Sequence, residues 1–172
     1  MLKIAVCDDN ADFMEQITQA IDRWPNRPGN LSLSCFTDGD ALVRAHNASS
    51  FDIILLDMVM PLMDGMETAR EIRATDPGVK IVFLTASPEF AVESYRVKAY
   101  DYLLKPVQPQ LLYRCLDELK ELLHQTAKYI MVRTTGGTHR IRLDHIECVE
   151  AQNKHTLFSV ATTEDKKNSG KH

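Results

Sequence analysis

Short unbroken apolar runs alternate along this chain with stretches whose apolar positions recur every three or four residues. The runs at 2–7, 53–56, 80–84 and 100–104 are too short for helices and predict strands. The run at 53–56 is continuous rather than alternating, which marks a strand buried on both faces. Residues 31–36 alternate as Leu-Ser-Leu-Ser-Cys-Phe and predict a half-exposed edge strand. Helical spacing puts Phe13, Ile17, Ile21 and Trp24 on one face, then Ala41, Leu42, Ala45 and Ala48, then Met66, Ala69 and Ile72. A long helix over 110–126 carries Leu112, Cys115, Leu116, Leu119, Leu122 and Leu123. Asn10 or Asp12 caps the first helix and Asp38 opens the second. Pro25, Pro28 and Gly29 stop the first, and Pro77 and Gly78 stop the third, over 65–75. Ser87 followed by Pro88 opens a shorter fourth helix to about 98, with a looser pattern in Phe90, Ala91, Tyr95 and Val97.

Strands that alternate with helices imply a parallel sheet with right-handed crossovers. Residues 1–125 therefore predict a complete three-layer α/β domain with a central five-stranded sheet. After residue 126 the pattern changes. Residues 129–133, 139–143, 146–150 and 156–161 read as short strands without helices between them, and Gly136-Gly137 marks a hairpin-like turn. Residues 163–172 are wholly polar and predict a tail without structure. A segment this small, with so few apolar groups, cannot bury a self-sufficient core. Residues 126–172 are thus expected to be part of a larger β domain or to complete themselves against a partner.

Composition adds limits. Apolar content of 44% and charged content of 26% are ordinary for a soluble globular protein. No apolar run approaches the roughly 20 residues of a membrane span, so no membrane role is expected. Asp8 and Asp9 interrupt any signal-peptide core at once. Cys7, Cys35, Cys115 and Cys148 lack metal-ligand spacing, and the expectation is reduced core thiols in a cytoplasmic protein. The net charge of −4 hides an asymmetry: acidic residues dominate before residue 128 and basic ones after it. The first part is a poor nucleic-acid binder, while the second is able to approach phosphates.

The candidate chemistry lies where the predicted strands stop. Asp8 and Asp9 follow the first run, Asp57 ends the third, Thr85 follows the fourth, and Lys105-Pro106 follows the fifth. A single Asp at a strand end is usually a cap or turn residue. In a parallel sheet, however, all strand C-termini share one edge, and ligands bind outside it. Three carboxylates meeting there repel one another, and a hard cation is the economical remedy. Mg²⁺ suits such oxygen donors, with the Val59 backbone carbonyl as a further ligand. A metal beside Lys105 and Thr85 suggests phosphoryl chemistry, in which positioning and charge neutralisation do most of the catalysis. Asp57, on the central strand, is then the favoured nucleophile, giving an aspartyl-phosphate. The isomer of the Lys105-Pro106 bond stays open, since most X-Pro bonds are trans.

Asp8-Asp9, Asp57 with Pro61 and Gly65, Thr85-Ala86, and Tyr102 three before Lys105-Pro106 together resemble the receiver domain of two-component response regulators. That resemblance implies a flavodoxin-like (βα)5 fold and a receiver that is not itself an enzyme. It implies that Asp57 accepts a phosphoryl group from a sensor histidine kinase. It implies Mg²⁺ on Asp9, Asp57 and the Val59 carbonyl, with Asp8 acting largely through water, and Lys105 and Thr85 on the phosphoryl oxygens. Thr85 and Tyr102 would form a switch that drives homodimerisation through the fourth helix, fifth strand and fifth helix.

Ser87-Pro-Glu-Phe-Ala-Val-Glu-Ser-Tyr, Ile130-Met-Val-Arg and Cys148-Val-Glu-Ala-Gln-Asn further resemble receivers joined to LytTR-type DNA-binding domains. Only the N-terminal part of such a domain is present, so transcription control through DNA is expected of a full-length form. Asn153, Lys154 and His155 are the nominated contacts. Three alternatives remain. A phosphorelay or single-domain receiver would have no DNA-binding output. A phosphatase of the haloacid dehalogenase type wants a second acid where Val59 stands. A flavodoxin-like redox protein would see its flavin phosphate repelled by Asp8-Asp9.

Overall fold

The computed structural model describes residues 1–86, 97–126, 129–134, 137–142, 146–152 and 155–160. Five parallel strands form one sheet: β1 (Leu2–Cys7), β2 (Leu31–Phe36), β3 (Ile53–Asp57), β4 (Lys80–Thr85) and β5 (Asp101–Leu104). Their order is β2-β1-β3-β4-β5. The order reverses after β1, so the ends of β1 and β3 lie side by side at a topological switch point. This is the flavodoxin-like arrangement expected from the sequence. Cys7 pairs with Leu56, and Asp57 pairs with Leu84. Asp8 follows Cys7 directly and Asp57 is the last paired residue of β3, so both acids lie where the chain leaves the sheet.

Helices α1 (Ala11–Asp22), α2 (Gly39–Ala48) and α3 (Gly65–Thr75) are each opened by a short polar side chain that accepts a backbone N–H of the first turn. Asn10 accepts from Phe13, Asp38 from Ala41 and Asp64 from Glu67. A long helix, Pro109–Thr126, begins on a proline whose missing N–H costs nothing there.

The continuous apolar runs behave as their composition requires. Ile53, Ile54, Leu55 and Leu56 are all fully buried, so β3 has protein on both faces. Ala5, Cys7, Ile54, Leu56, Ile81 and Phe83 share one core cluster with Leu42 of α2 and Met66, Ala69 and Ile72 of α3. The alternate strand residues point the other way, where Met14, Ile17 and Ile21 of α1 and Leu112, Cys115, Leu116 and Leu119 of the long helix are buried. Trp24, at the end of α1, donates its indole N–H to Asp117 of the long helix at 3.1 Å and fastens those two elements together.

Three burial expectations change. On α1 the core position is Met14, and Phe13 is only half-buried because it turns toward the strand ends. On α2 the inward residues are Leu42 and His46, while Ala48 is exposed. The buried His46 ring accepts the Phe51 N–H on Nδ1 at 3.2 Å, while its Nε2 lies 3.3 Å from Asp76 Oδ2 without a hydrogen bond. Cys35 is exposed rather than a core thiol, since β2 has a neighbouring strand on one side only.

The fourth predicted helix falls on residues 87–96, outside the described residues. The chain entering β5 is anchored from α3. Arg73 donates from Nε to the Val97 carbonyl at 2.9 Å, from Nη2 to Lys98 at 3.2 Å and from Nη1 to Asp76 at 3.3 Å.

The chain divides into two compact units, Met1–Glu121 and Leu122–His172. In the second, β6 (Tyr129–Thr134) pairs antiparallel with β7 (Gly137–Arg142), and β8 (Ile146–Gln152) with β9 (His155–Val160). These are the four strands the sequence predicts, displaced by a residue or two. Loss of the Arg73 anchor should be measurable. Arg73→Met should cost about 2 kcal/mol in urea unfolding, from hydrogen bonds made by a charged donor. It should also speed amide exchange at Tyr100, whose N–H bonds the Ile81 carbonyl. An unchanged urea midpoint would show that water replaces the guanidinium without loss.

Candidate functional site

Four of the five strands deliver the functional groups: β1 brings Asp8 and Asp9, β3 Asp57, β4 Thr85 and β5 Lys105. The Asp8 N–H bonds the Phe36 carbonyl at 3.0 Å, which fixes the departure of β1 from the sheet. The Met58 N–H bonds the Leu84 carbonyl at 3.1 Å, and the Lys105 N–H bonds the Thr85 carbonyl at 2.7 Å. Those bonds hold the Asp57 and Lys105 backbones in line with their neighbours, and the Lys105-Pro106 peptide is cis.

Asp8 is fully buried, Asp57 is 5% exposed and Thr85 is 1% exposed, whereas Asp9 is open to solvent. The Lys105 ammonium donates to Asp8 Oδ2 at 2.7 Å and lies 2.9 Å from Asp57 Oδ1. One carboxylate oxygen from each of Asp8, Asp9 and Asp57 lies within 4.8 Å of the others. The structure thus gathers the predicted acids and the amine into one pocket, with Thr85 ending the strand beside Asp57.

The loop after β3 is built to keep this geometry. The Gly65 N–H bonds the Met58 carbonyl at 3.1 Å, and a Cβ on Gly65 would collide with the Asp57 carbonyl. Glycine is therefore required for α3 to start this close to the strand. Between them Leu62 takes a left-handed φ of 69° inside a tight turn closed by Met63 N–H on the Pro61 carbonyl.

The electrostatics follow from burial. Burial pushes the Asp57 carboxyl above its ordinary value, and the Asp8 charge pushes the same way. The Lys105 hydrogen bond, the Lys105 charge and the Val59 backbone N–H pull it back without cancelling the rise. Beneath the pocket, burial first and then the charges of Asp38, Asp8, Asp57 and Asp9 raise the Cys7 thiol to about 12, so it stays protonated and inert.

Three carboxylates against one ammonium leave two negative charges on hard oxygen donors. That donor set fits a small divalent cation such as Mg²⁺.

Tyr102 is 41% exposed on β5. Asn153 and Lys154 lie outside the described residues, and His155 begins β9. Sequence reasoning missed Asn10 and Phe13 as parts of the pocket. Asn10 donates its N–H to Asp8 Oδ1 at 3.0 Å, and the Phe13 ring lies 4.3 Å from Lys105 Nζ.

An open parallel sheet with buried acids and one ammonium at its switch point defines the class as a flavodoxin-like α/β domain with a charged site at the strand ends. The family model for the response regulator receiver domain matches residues 4–117, and the chain belongs to that family. Among curated proteins, the chain is 35% identical over 88 residues to an uncharacterized response regulatory protein of Vibrio cholerae. That match covers 51% of this chain and 34% of the Vibrio protein. The transcriptional regulatory protein ZraR of Salmonella typhimurium is 34% identical over 138 residues, covering 79% of this chain and 28% of ZraR. The chain therefore spans about a third of these relatives. Among solved structures, the response regulatory domain of mrkE from Klebsiella pneumoniae superposes with a TM-score of 0.66 at 27% identity. It covers 73% of this chain and is itself covered completely. No helix among the described residues is long and apolar enough to cross a membrane.

The raised Asp57 carboxyl has a consequence for stability. A carboxyl that holds its proton more tightly folded than unfolded costs stability as pH rises from the ordinary carboxylate range through the folded value. At neutral pH and without metal, Asp57→Asn should therefore melt higher than the unaltered protein. A lower melting temperature would show that the Lys105 ion pair outweighs burial and the Asp8 charge.

Proposed function

We propose that this two-component response regulator receiver accepts a phosphoryl group on Asp57, from a sensor histidine kinase, in a reaction that requires Mg²⁺. The observation that carries the reading is the pocket itself. A nearly buried carboxylate ends the central strand, with an ammonium 2.9 Å away and two further acids within reach. An Asp57 oxygen attacks phosphorus as the bond from phosphorus to the donor's imidazole nitrogen breaks. The imidazole keeps that electron pair and takes a proton from solvent. Asp8, Asp9, Asp57 and the Val59 carbonyl would hold Mg²⁺, which neutralises charge on the phosphoryl oxygens. Lys105 turns from its carboxylates toward those oxygens, and the Thr85 hydroxyl donates to one of them.

The output is proposed to run through Thr85 and Tyr102. Tyr102, Leu104 and Leu111 are all exposed on β5 and the long helix. That surface supports homodimerisation when the Tyr102 ring turns inward; the fourth helix expected to share in it lies outside the described residues. A LytTR-type DNA-binding output in the full-length form is supported by the strand-only pattern after residue 129. A response regulatory protein of Yersinia pestis also matches 96% of this chain at 28% identity, so the likeness extends past the receiver. Asn153, Lys154 and His155 are its proposed DNA contacts, and the cytoplasm is its proposed location.

Acetyl phosphate provides the test. With Mg²⁺ it should label the protein stoichiometrically, and Asp57→Asn or omission of Mg²⁺ should abolish the label. Label retained on the Asn variant would place the nucleophile elsewhere. An unchanged rate without Mg²⁺ would remove the metal from the mechanism.

A further inference from the structure

We infer that Phe13 is a positioning residue for Lys105, holding the ammonium at the pocket through the face of its ring. The inference rests on the proposed role of Lys105 in phosphoryl transfer. The geometry is a closed circuit. Asp8 Oδ1 accepts the Asn10 N–H at 3.0 Å, and Asn10 Oδ1 accepts the Phe13 N–H at 3.0 Å. The Phe13 ring lies 4.3 Å from Lys105 Nζ, and Nζ returns to Asp8 Oδ2 at 2.7 Å. The same carboxylate thus fixes both the ring's backbone and the ammonium that the ring meets.

An ammonium has three donors and no acceptor. Asp8 and Asp57 take two of them. Within about 6 Å an aromatic face attracts a cation, and more strongly where water is excluded. Lys105 is only 19% exposed, and Phe13 is half-buried on the first turn of α1. In the proposed reaction a divalent ion or phosphorus would compete with the ammonium for oxygens of the same two carboxylates. The ring is neutral and has no such second use. It keeps Nζ near the pocket during the exchange and shortens the path to the phosphoryl oxygens.

This separates Phe13 from an ordinary packing residue. Packing depends on volume, which leucine largely retains. Cation attraction depends on the ring's negative face, which leucine lacks and which successive fluorines weaken without a change of shape.

The test has two readouts. In metal-free protein, the Lys105 Hε resonances should carry an upfield ring-current shift that disappears in Phe13→Leu. With Mg²⁺ and acetyl phosphate, Phe13→Leu should label about fivefold more slowly, as expected for an interaction of this kind. Phe13→Tyr should restore the rate. Mono-, di- and trifluorinated phenylalanine at position 13 should slow labelling in steps that track the loss of cation affinity. The fluorinated series keeps the test decisive even if the leucine variant folds poorly. Equal rates across that series, or no ring-current shift in the unaltered protein, would overturn the inference. Neither result would touch the role of Asp57, which stands or falls with label on the Asn variant.

Discussion

The pocket depends on one exchange of charge: two carboxylates removed from water are held by a single ammonium. Burying an ionised carboxylate without a partner is costly enough that the group usually takes up a proton instead. Asp8 and Asp57 avoid this by sharing Lys105, which arrives from a residue 97 positions beyond Asp8. The sharing is incomplete, because Asp57 still holds its proton more tightly than an ordinary carboxylate does. The metal-free fold is therefore left with unbalanced negative charge at its switch point. That residual charge is a property of the folded sheet, since no local stretch of chain contains both the acids and the amine.

Everything nearby serves to keep those three side chains in place. Parallel register lines up the ends of β1, β3 and β4, and the Lys105 N–H on the Thr85 carbonyl extends the alignment to β5. Gly65 lets α3 begin directly beneath the Asp57 carbonyl. From the other end of α3, Arg73 reaches the Val97 and Lys98 carbonyls. One helix therefore touches both the backbone of the proposed phosphoacceptor and the chain entering β5.

Much of this was legible in the residue order. Ile53 to Leu56 could only be a strand covered on both sides, and acids at the ends of such strands had to share an edge. The four-strand pattern from residue 129 was legible as short β-prone runs, the first two separated by Gly136-Gly137. What was hidden depended on rotation or on backbone partners. Phe13 and Met14 are adjacent and both apolar, so helical spacing does not decide between them. The Asn10 cap and the Lys105 ammonium do. His46 looks like a surface residue until the Phe51 N–H supplies a partner for its Nδ1. Arg73 binds carbonyl oxygens, which every residue carries, so nothing in the sequence marks its targets. Cys35 was misjudged because an apolar residue on an edge strand gains cover from one side only.

The same charge balance bears on how the receiver would change state. Lys105 occupies the pocket in the only way an ammonium can, by donating to the carboxylates that a cation would claim. A divalent ion at these acids would compete with Lys105 only for the oxygens that the ammonium holds, Asp8 Oδ2 and Asp57 Oδ1, because each carboxylate has a second oxygen to offer. In the proposed reaction, the ammonium beside Asp57 is the cation nearest to an incoming phosphoryl group. Asp9, exposed and the outermost of the three acids, is placed to meet an incoming cation first. Burial increases from Asp9, which is exposed, to Asp57 and then to Asp8. A pocket whose acids were all satisfied by fixed cations would bind no metal. A pocket with no ammonium would leave two buried charges to protonate. The observed arrangement lies between those limits, with one mobile positive charge among three negative ones.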